Sequence, residues 1–399
     1  MALPRRTDPS VTGPAGTAGR LIYFSPVPWA SYSQRPHFLA RHLLAETLVT
    51  DVLWVEPYPT RLPRWTDFQR RRQRAPHGEG PSLAHLRRLA VQALPIEPLP
   101  GGATLNRLLS WSGAIRELEA FAREAPCVLG IGRPSALAVW ALASLPHRTS
   151  FFDAMDDFPA FYGPLSGRSM ARRESAVASR VDWVFCSSHP LVGKFRPRAE
   201  RVVLVPNGYP MAGLPPVLPV RGRTAIGYVG SIADWFDWPL VVEMARALPD
   251  VPIRLIGPEF VARPADLPRN IEVRPECPRE AVVEEVRRFS VGLIPFRRNR
   301  LTASVDPIKY YEYAALGVPV WSTAFGEMAL RGGEPAVHLV AAGTDWQRLF
   351  GTTCATPLSN EFVAEFRQAN DWAARFAAIA TAFRDPPARE PGPKSRAWD

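Results

Sequence analysis

The sequence predicts an α/β protein made of two Rossmann-like, doubly wound domains that face each other across a cleft. Short apolar runs typical of buried parallel strands alternate with helical patterns along the first half of the chain. The same alternation begins again after residues 210–223, where four prolines and two glycines indicate a linker. The length of 399 residues also exceeds what one compact core usually supports, which favours two domains.

In the first half, apolar runs predict strands and the patterns between them predict helices. Strands are expected at residues 20–25, 52–55, 127–131, 149–153, 183–186 and 202–205, and helices at 36–48, 105–123, 135–145 and 168–179. Residues 58–100 are rich in arginine and proline and are difficult to assign. We interpret them as an excursion that faces an acceptor or a membrane.

The second half repeats the pattern and defines the domain limits. Strands are expected at residues 225–229, 252–256, 271–273, 291–294, 318–321 and 337–340, and helices at 239–248, 279–289 and 360–383. The predicted domains are therefore residues 20–209 and 224–359, followed by a helical segment at 360–384. Residues 1–19 and 385–399 are predicted to be disordered tails, since they are rich in proline and lack periodic apolar residues.

Residues 302–323 are the most informative stretch, because they join a loop, a helix and a strand. Asp306 is predicted to be the N-cap of this helix, with Pro307 at the first helical position. Gly317 is predicted to close the helix before the next strand. The loop before the helix follows a buried strand, so it lies at the carboxyl end of a parallel sheet, where open α/β sheets bind ligands.

Lys309 and Glu312 are three residues apart on this helix, so they share one face near its N-terminus. An ammonium group suits phosphate oxygens, and a carboxylate can accept hydrogen bonds from ribose hydroxyls. These two residues alone are equally consistent with a surface ion pair that contributes less than about 1 kcal/mol. If Asp306 caps the helix, it also occupies backbone donors that would otherwise bind an anion.

Charge and cysteine content restrict the compartment and the partners. The formal net charge is +10, and six arginines lie between Arg61 and Arg74 with Trp65 and Phe68 among them. This composition suits an anionic membrane surface or nucleic acid, although a solvated basic loop fits equally well. Four widely spaced cysteines indicate neither a zinc site nor a disulfide framework, which suits a reducing cytosol. The N-terminal residues lack a signal-peptide apolar region and no stretch has the length of a membrane span, so any membrane association is expected to be peripheral.

Seven short motifs follow one another in a defined order. They are Gln34-Arg35-Pro36-His37-Phe38-Leu39, Val55-Glu56-Pro57, Phe152-Asp153-Ala154-Met155-Asp156-Asp157, Val205-Pro206-Asn207-Gly208, Tyr228-Val229-Gly230-Ser231, the stretch at 306–320, and Asn370-Asp371-Trp372. This ordered set resembles the GT-B glycosyltransferases, in particular the type-1/type-4-like bacterial group that assembles polysaccharides. The third motif also resembles the loop that carries the catalytic aspartate of inverting exopolysaccharide glucuronosyltransferases.

The resemblance implies a donor site in the second domain. Glu312 would hold the donor ribose, and Lys309 with the backbone of Gly230 and Ser231 would face the diphosphate. Tyr310 lies in the same donor-binding stretch. Arg297, with Arg298 and Arg300 as alternatives, is a candidate for stabilising the departing diphosphate. The resemblance also implies that the segment at 360–384 crosses back to the first domain.

The first domain would supply the acceptor side and the base. Gln34, Arg35 and His37 belong to the acceptor-side motif. Asp156 is predicted to take the proton of the acceptor hydroxyl, with Asp157 as the second candidate. Asp153 is expected to order the loop or to cap the following helix.

Two departures from the family pattern bear on the mechanism. Retaining relatives often carry a second glutamate eight residues before the ribose glutamate, and Ser304 stands there in this chain. The loop after Gly230 also lacks the usual basic pair. Inversion of configuration is therefore favoured over retention. No metal is expected, because no DxD motif occurs in a suitable context.

We interpret the chain as a glycosyltransferase that moves a sugar from a UDP- or GDP-linked donor to a lipid-linked or saccharide acceptor. It is expected in the cytoplasm or at the inner face of the plasma membrane, in the assembly of a cell-surface polysaccharide or glycolipid. The alternative is a non-catalytic nucleotide-sugar or nucleic-acid binding protein that uses the cluster between Arg61 and Arg74. A Rossmann oxidoreductase is disfavoured, since no G-x-G-x-x-G follows a strand.

Overall fold

A computed structural model describes residues 19–62 and 83–384. The predicted tails lie outside the described residues, apart from Gly19, which begins the first strand. Of the basic cluster at 61–74, only Arg61 and Leu62 are described.

The described part of the first half forms one parallel sheet. Its strands are β1 (Gly19–Phe24), β2 (Val49–Val55), β3 (Leu86–Leu89), β4 (Cys127–Ile131), β5 (Thr149–Ala154), β6 (Trp183–Cys186) and β7 (Val202–Leu204). The spatial order is β3-β2-β1-β4-β5-β6-β7, as expected for a doubly wound domain. Strand β3 lies within the segment that the sequence left unassigned and pairs with β2 at the edge of the sheet.

Helices cover both faces of this sheet. They are α1 (Arg35–Ala45), α2 (Gly102–Leu109), α3 (Ser112–Glu124), α4 (Ala136–Ser144), α5 (Pro164–Ala178) and α6 (His189–Phe195). The predicted single helix at 105–123 is two helices, because the buried Trp111 interrupts it to pack its ring 5.9 Å from that of Tyr58. Helix α6 was not expected from the sequence.

The second half forms a parallel sheet of its own. Its strands are β8 (Ala225–Val229), β9 (Ile253–Ile256), β10 (Ile271–Arg274), β11 (Phe289–Ile294), β12 (Val320–Ser322) and β13 (Val337–Leu339), in the order β10-β9-β8-β11-β12-β13. The accompanying helices are α7 (Trp238–Ala247), α8 (Arg279–Arg287), α9 (Ile308–Ala315) and α10 (Trp346–Ala355). Helix α10 was not expected from the sequence. Gly317 adopts a φ of 69° just after α9, as predicted for the closing glycine.

The helical segment at the end of the described chain is divided in two. It consists of α11 (Asn360–Asn370) and α12 (Trp372–Arg384) rather than one continuous helix. Asp371 separates them, since its Oδ1 accepts from the N–H of Ala373 at 2.9 Å and its Oδ2 from the N–H of Met211 at 3.0 Å. Helix α12 packs on α1 of the first domain, where the rings of Phe38 and Trp372 stack 5.3 Å apart.

The two domains meet through loops at the carboxyl ends of their strands. Ser188, after β6, donates from Oγ to the carbonyl of Ser304 at 2.7 Å. Asn207, after β7, donates from its backbone N–H to Asp306 Oδ2 and from Nδ2 to the Asp306 carbonyl, both at 2.7 Å. Because Ser304 and Asp306 follow β11, the carboxyl ends of the two sheets face each other. A ligand bound between them would contact both domains.

Candidate active site between the domains

The loop after β5 is fixed by a buried ion pair. Asp153 is fully buried, and its Oδ1 accepts from Arg35 Nε at 2.8 Å. The Tyr23 hydroxyl donates to its other oxygen at 3.2 Å. The carboxylate of Asp153 is therefore occupied, which agrees with its expected role in ordering the loop.

Arg35 connects this loop to the domain interface. Its Nη1 donates to the carbonyl of Val205 at 2.8 Å and to Asn207 Oδ1 at 3.3 Å. Asn207 in turn binds Asp306 of the second domain. Arg35 is only 2% exposed, so in this structure it does not reach an acceptor as predicted but holds Asp153 and the domain seam in place.

Asp156 has a different environment from Asp153. The residue is half-buried, and within residues 19–62 and 83–384 no side chain hydrogen-bonds or pairs with its carboxyl group. The pKa of Asp156 is raised to about 7, mainly by burial; the Arg35 guanidinium opposes this rise, and the charges of Asp157 and Asp153 add to it. A carboxyl group of this kind changes protonation near neutrality and can accept a proton from a ligand.

Asp157 is held by residues that the sequence did not indicate. Its Oδ1 lies 2.7 Å from Lys194 Nζ, and the same ammonium group contacts Glu174 Oε2. Burial raises the pKa of Glu174 to about 7, while Lys194 opposes the rise. Because Lys194 lies 37 positions after Asp157, no spacing pattern could reveal the pair. The Lys194 ammonium group thus occupies Oδ1 of Asp157, whereas no described side chain occupies the carboxyl group of Asp156.

His37 makes contacts within the first domain in place of the predicted contact to an acceptor. His37 is fully buried between the rings of Trp29 and Trp54, 5.0 and 5.1 Å away. Its Nδ1 accepts from the backbone N–H of Gln34 at 3.1 Å, so Nε2 carries the proton and donates to the carbonyl of Trp29 at 3.2 Å. Burial lowers the pKa of His37, which favours this neutral form. These contacts fix the start of α1, and no ring nitrogen of His37 remains for an acceptor.

In the second domain, Asp306 does not cap α9 as predicted. Pro307 is the N-cap, and no side chain caps the helix. Asp306 is buried and accepts from Asn207, from the Tyr311 hydroxyl at 2.8 Å and from Arg331 Nη2 at 2.8 Å. The Asp306 carboxylate therefore joins the two domains and does not cap α9. The first turn of α9 has no acidic side chain, so its backbone donors favour an anion.

Lys309 lies at this helix start, against the loop after β8. Its Nζ is 5.3 Å from the centre of the Tyr228 ring and 5.6 Å from that of Phe296. Burial lowers the pKa of Lys309, and the Glu312 carboxylate opposes this shift. Within the parts of the chain that the structure describes, no carboxylate lies within 4.0 Å of the ammonium group. The alternative interpretation as a surface ion pair with Glu312 is therefore not supported, and the cation is available to a ligand.

Gly230 is required where the backbone passes Lys309. It has a φ of 138°, and a Cβ there would lie 2.6 Å from both Cε and Nζ of the lysine. Ser231 follows it and accepts through its carbonyl from the Tyr228 hydroxyl at 2.8 Å. The predicted diphosphate loop and Lys309 are therefore in direct proximity.

We expect Gly230→Ala to weaken binding of pyrophosphate by roughly tenfold, about 1.4 kcal/mol, because the new methyl group displaces the lysine ammonium. Calorimetric titration would measure the change. Gly343→Ala is the control, since Gly343 also has a positive φ, 79°, but a Cβ there contacts nothing within 4 Å. Equal affinities of the Gly230→Ala protein and the wild type would show that this loop does not adjoin the anion.

Glu312 lies on the same face of α9 as Lys309. The Tyr209 hydroxyl donates to its Oε1 at 2.8 Å. Burial raises the pKa of Glu312, while Tyr209, Lys309 and Arg279 oppose the rise. The bond to Tyr209 takes one carboxylate oxygen, so the second oxygen can accept from a ligand hydroxyl.

Tyr310 and Arg297 are placed differently from Lys309. The Tyr310 hydroxyl donates to Glu334, and the Arg331 guanidinium lies 4.0 Å from its ring centre. These contacts are on another side of α9, beside an open cavity of about 420 Å³ that neither Lys309 nor Glu312 lines. Tyr310 therefore does not reach the predicted donor site. The Arg297 side chain is exposed, and the backbone N–H of Arg297 donates to the Trp235 carbonyl at 2.7 Å.

Ser304 has a structural role at the domain seam. It is 8% exposed, and its carbonyl accepts the bond from Ser188 that joins the domains. A glutamate at this position would have to place a longer, charged side chain in the same packed loop. Among residues 19–62 and 83–384, no group of three or more histidine, cysteine, aspartate or glutamate residues could hold a metal ion.

Two parallel-sheet domains that meet at their carboxyl ends, with the last helix packed on the first domain, define the GT-B fold. Solved structures confirm this class. Sucrose-phosphate synthase from Thermosynechococcus elongatus aligns with a TM-score of 0.64 and 14% identity, over 92% of this chain and 98% of that chain. Anabaena HepE in complex with UDP and glucose aligns with a TM-score of 0.57 and 15% identity, over 92% of this chain and 99% of that chain.

Sequence comparison finds a relative that matches part of this chain. The chain is 28% identical over 188 residues to "Putative teichuronic acid biosynthesis glycosyltransferase TuaH" of Bacillus subtilis (strain 168). The match covers 40% of this chain and 47% of that relative, so the chain spans about half of its length. No family model matches the sequence.

Proposed function

We propose that this protein is a glycosyltransferase that uses a nucleotide diphosphate sugar as donor. The observation that carries the proposal is that each domain contributes one feature of a transfer site where the two domains meet. The first domain contributes a half-buried carboxyl group with no partner among the described residues. The second domain contributes a helix start that no side chain caps and that bears a lysine. Asp156 supplies the first and Lys309 the second. The similarity to TuaH, and to a GT-B structure that holds UDP and glucose, supports this choice.

The second domain would bind the donor. The first turn of α9, the Lys309 ammonium and the backbone at Gly230 surround one position suited to a diphosphate. Glu312, one turn further along the same face, would accept from the ribose hydroxyls. UDP and GDP donors are both compatible with these contacts, because none of them involves the base.

The first domain would activate the acceptor. The ionised Asp156 carboxylate takes the proton of an acceptor hydroxyl while that oxygen attacks the anomeric carbon of the donor sugar. The bond between this carbon and the diphosphate oxygen breaks, and the nucleoside diphosphate leaves with the bonding electron pair. Lys309 stabilises the charge that develops on the leaving oxygen. Attack from the side opposite the leaving group inverts the configuration of the sugar, and these steps need no metal ion.

The pH dependence of transfer should follow Asp156. The carboxylate is the active form of the base and the pKa is raised to about 7. The rate constant kcat/KM is therefore expected to rise tenfold per pH unit below about 7 and to level off above it. A profile of kcat/KM that stays flat from about pH 5 to 9 would show that a carboxyl group with an ordinary pKa is the base.

The acceptor is proposed to be a lipid-linked or growing saccharide at the cytoplasmic face of a membrane. The basic composition between Arg61 and Arg74 supports an anionic membrane surface as a partner. Among the helices of the described residues, none is long and apolar enough to cross a bilayer. A role in polysaccharide or glycolipid assembly is consistent with the similarity to TuaH.

The proposal is tested by incubating the full chain with UDP- and GDP-sugars and membrane extracts, and by following release of the nucleoside diphosphate. We expect acceptor-dependent release with one donor, and nuclear magnetic resonance of the product to show the inverted anomer. A retained anomer would contradict the role of Asp156. Strong, salt-sensitive binding to RNA or DNA without binding of any nucleotide sugar would favour the non-catalytic alternative.

A further inference from the structure

The segment at residues 94–109 exposes an unusual number of leucines. Their exposed fractions are 41% for Leu94, 41% for Leu99, 47% for Leu105, 71% for Leu108 and 69% for Leu109. The last three lie at positions i, i+3 and i+4 of α2 and therefore share one face of the helix. We call these five side chains the leucine surface. Exposed apolar side chains that share one helix face, as Leu105, Leu108 and Leu109 do, commonly mark interaction sites on soluble proteins.

Helix α2 cannot turn these leucines inward, because its polar side is fastened to the protein. Asn106 is fully buried, and its Oδ1 accepts from the Leu94 N–H at 2.7 Å while its Nδ2 donates to the Leu94 carbonyl at 3.1 Å. Gly102 is also buried, with a Cβ position 2.0 Å from the Ile96 carbonyl oxygen. An amphipathic helix in a water-soluble fold normally buries leucine and exposes asparagine. Helix α2 does the reverse.

We propose that the leucine surface docks on an anionic lipid bilayer. Leucines that enter the boundary between headgroups and acyl chains lose contact with water, and arginines around them bind lipid phosphates. Arg107 lies between Leu105 and Leu108 in the sequence of α2, is exposed and flanks the face that the leucines share. The chain as a whole carries a formal net charge of +10. Helix α2 thus presents apolar side chains with a positive charge at their edge.

The amino-acid composition adds an argument that does not depend on position. The sequence at 63–82 holds five arginines against Asp67 and Glu79, and a basic composition of this kind favours an anionic partner. The docking surface itself consists of described residues only.

Charge also argues against a second copy of the chain as the occupant. Two copies joined through the leucine surface would bring their Arg107 side chains and two chains of net charge +10 together. Like charges in an interface are unfavourable, whereas an anionic bilayer neutralises them. This inference specifies the surface behind the proposed membrane association, and it depends on neither the donor site nor the base.

The test is co-sedimentation of the full chain with vesicles of phosphatidylcholine containing roughly a quarter phosphatidylglycerol, compared with phosphatidylcholine alone. We expect binding to the anionic vesicles that decreases at about 0.5 M salt. The double variant Leu108→Ser/Leu109→Ser should weaken binding at least tenfold. The control is Leu330→Ser/Leu339→Ser, which replaces two leucines of the second domain whose exposed fractions are 62% and 38%. Its vesicle affinity should stay within twofold of the wild type.

Several outcomes would overturn the proposal. They are absence of vesicle binding by the wild type, equal binding by the Leu108→Ser/Leu109→Ser protein, and equal losses in both double variants. A wild-type dimer that this variant converts to a monomer would assign the leucine surface to a second copy. Each variant is also titrated with UDP and GDP. A variant that loses vesicle binding but keeps its nucleotide affinity has lost membrane docking alone, which distinguishes this failure from a failure of the proposed donor site.

Discussion

Asp156→Asn is expected to lower kcat for glycosyl transfer by about 10²–10⁴ and to leave donor affinity unchanged. The amide has the size of the carboxyl group but cannot take the acceptor proton. The loss should be measured at saturating donor, with nucleotide binding determined separately by calorimetry. Asp156 is proposed as the base because its carboxyl group is half-buried, is unpaired among the described residues and has a pKa raised to about 7.

Asp156→Asn should also affect stability. The folded-state pKa of Asp156 lies above its unfolded value, so this group lowers the free energy of unfolding of the wild type as the pH rises from about 4 to about 7. The Asp156→Asn protein should therefore be at least as stable as the wild type at pH 8. Asp157→Asn is the matched control, because Asp157 is paired with Lys194. A larger loss of kcat in Asp157→Asn than in Asp156→Asn would assign the base to Asp157.

Lys309→Met is expected to lower kcat/KM by about 10²–10³, because the diphosphate would leave without a cation next to it. Methionine keeps much of the lysine volume, so the aromatic contacts to Tyr228 and Phe296 remain filled. Donor affinity should fall as well, since the ammonium group is also proposed to contact the bound diphosphate. Steady-state kinetics and titration with the nucleoside diphosphate measure both effects.

Arg297→Met provides the comparison for the lysine. Arg297 is an exposed cation on a nearby loop, and its removal should change kcat/KM by less than tenfold, as expected for a screened charge. Lys309→Arg is expected to restore little activity, because the planar guanidinium is wider than the compact ammonium group that lies next to the Gly230 backbone. Full activity in Lys309→Met would remove the lysine from the site.

The fold was predictable because it is encoded locally. Apolar runs and turn residues indicate strands such as β4 and β8 at their observed limits, 127–131 and 225–229. Two interruptions were not predictable, at Trp111 and at Asp371. Both depend on tertiary contacts, with the Tyr58 ring and with the Met211 backbone.

The site was predictable to a lesser extent. Spacing on one helix placed Lys309 and Glu312 on a common face, and the loop motif indicated Asp153 as an ordering residue. Sequence could not distinguish the roles of Arg35 and His37, which depend on burial and on partners far along the chain. The same holds for Asp306, which resembles a helix cap in sequence but binds across the domain seam. Lys194 and Glu174 carried no sequence signal at all.

Lys309 and Glu312 are proposed to hold a nucleoside diphosphate between the two domains, and the proposed function depends most on this claim. Calorimetric titration of the full chain with UDP and GDP tests it most directly, using Glu312→Ala and, as a matched control, Glu334→Ala. Glu334 is a carboxylate beside the same helix, but it bonds Tyr310 on another side. We predict that one nucleotide binds, that Glu312→Ala weakens it at least tenfold, and that Glu334→Ala changes it less than twofold. Absence of binding for both nucleotides, or equal affinity in the wild type and Glu312→Ala, would contradict the claim.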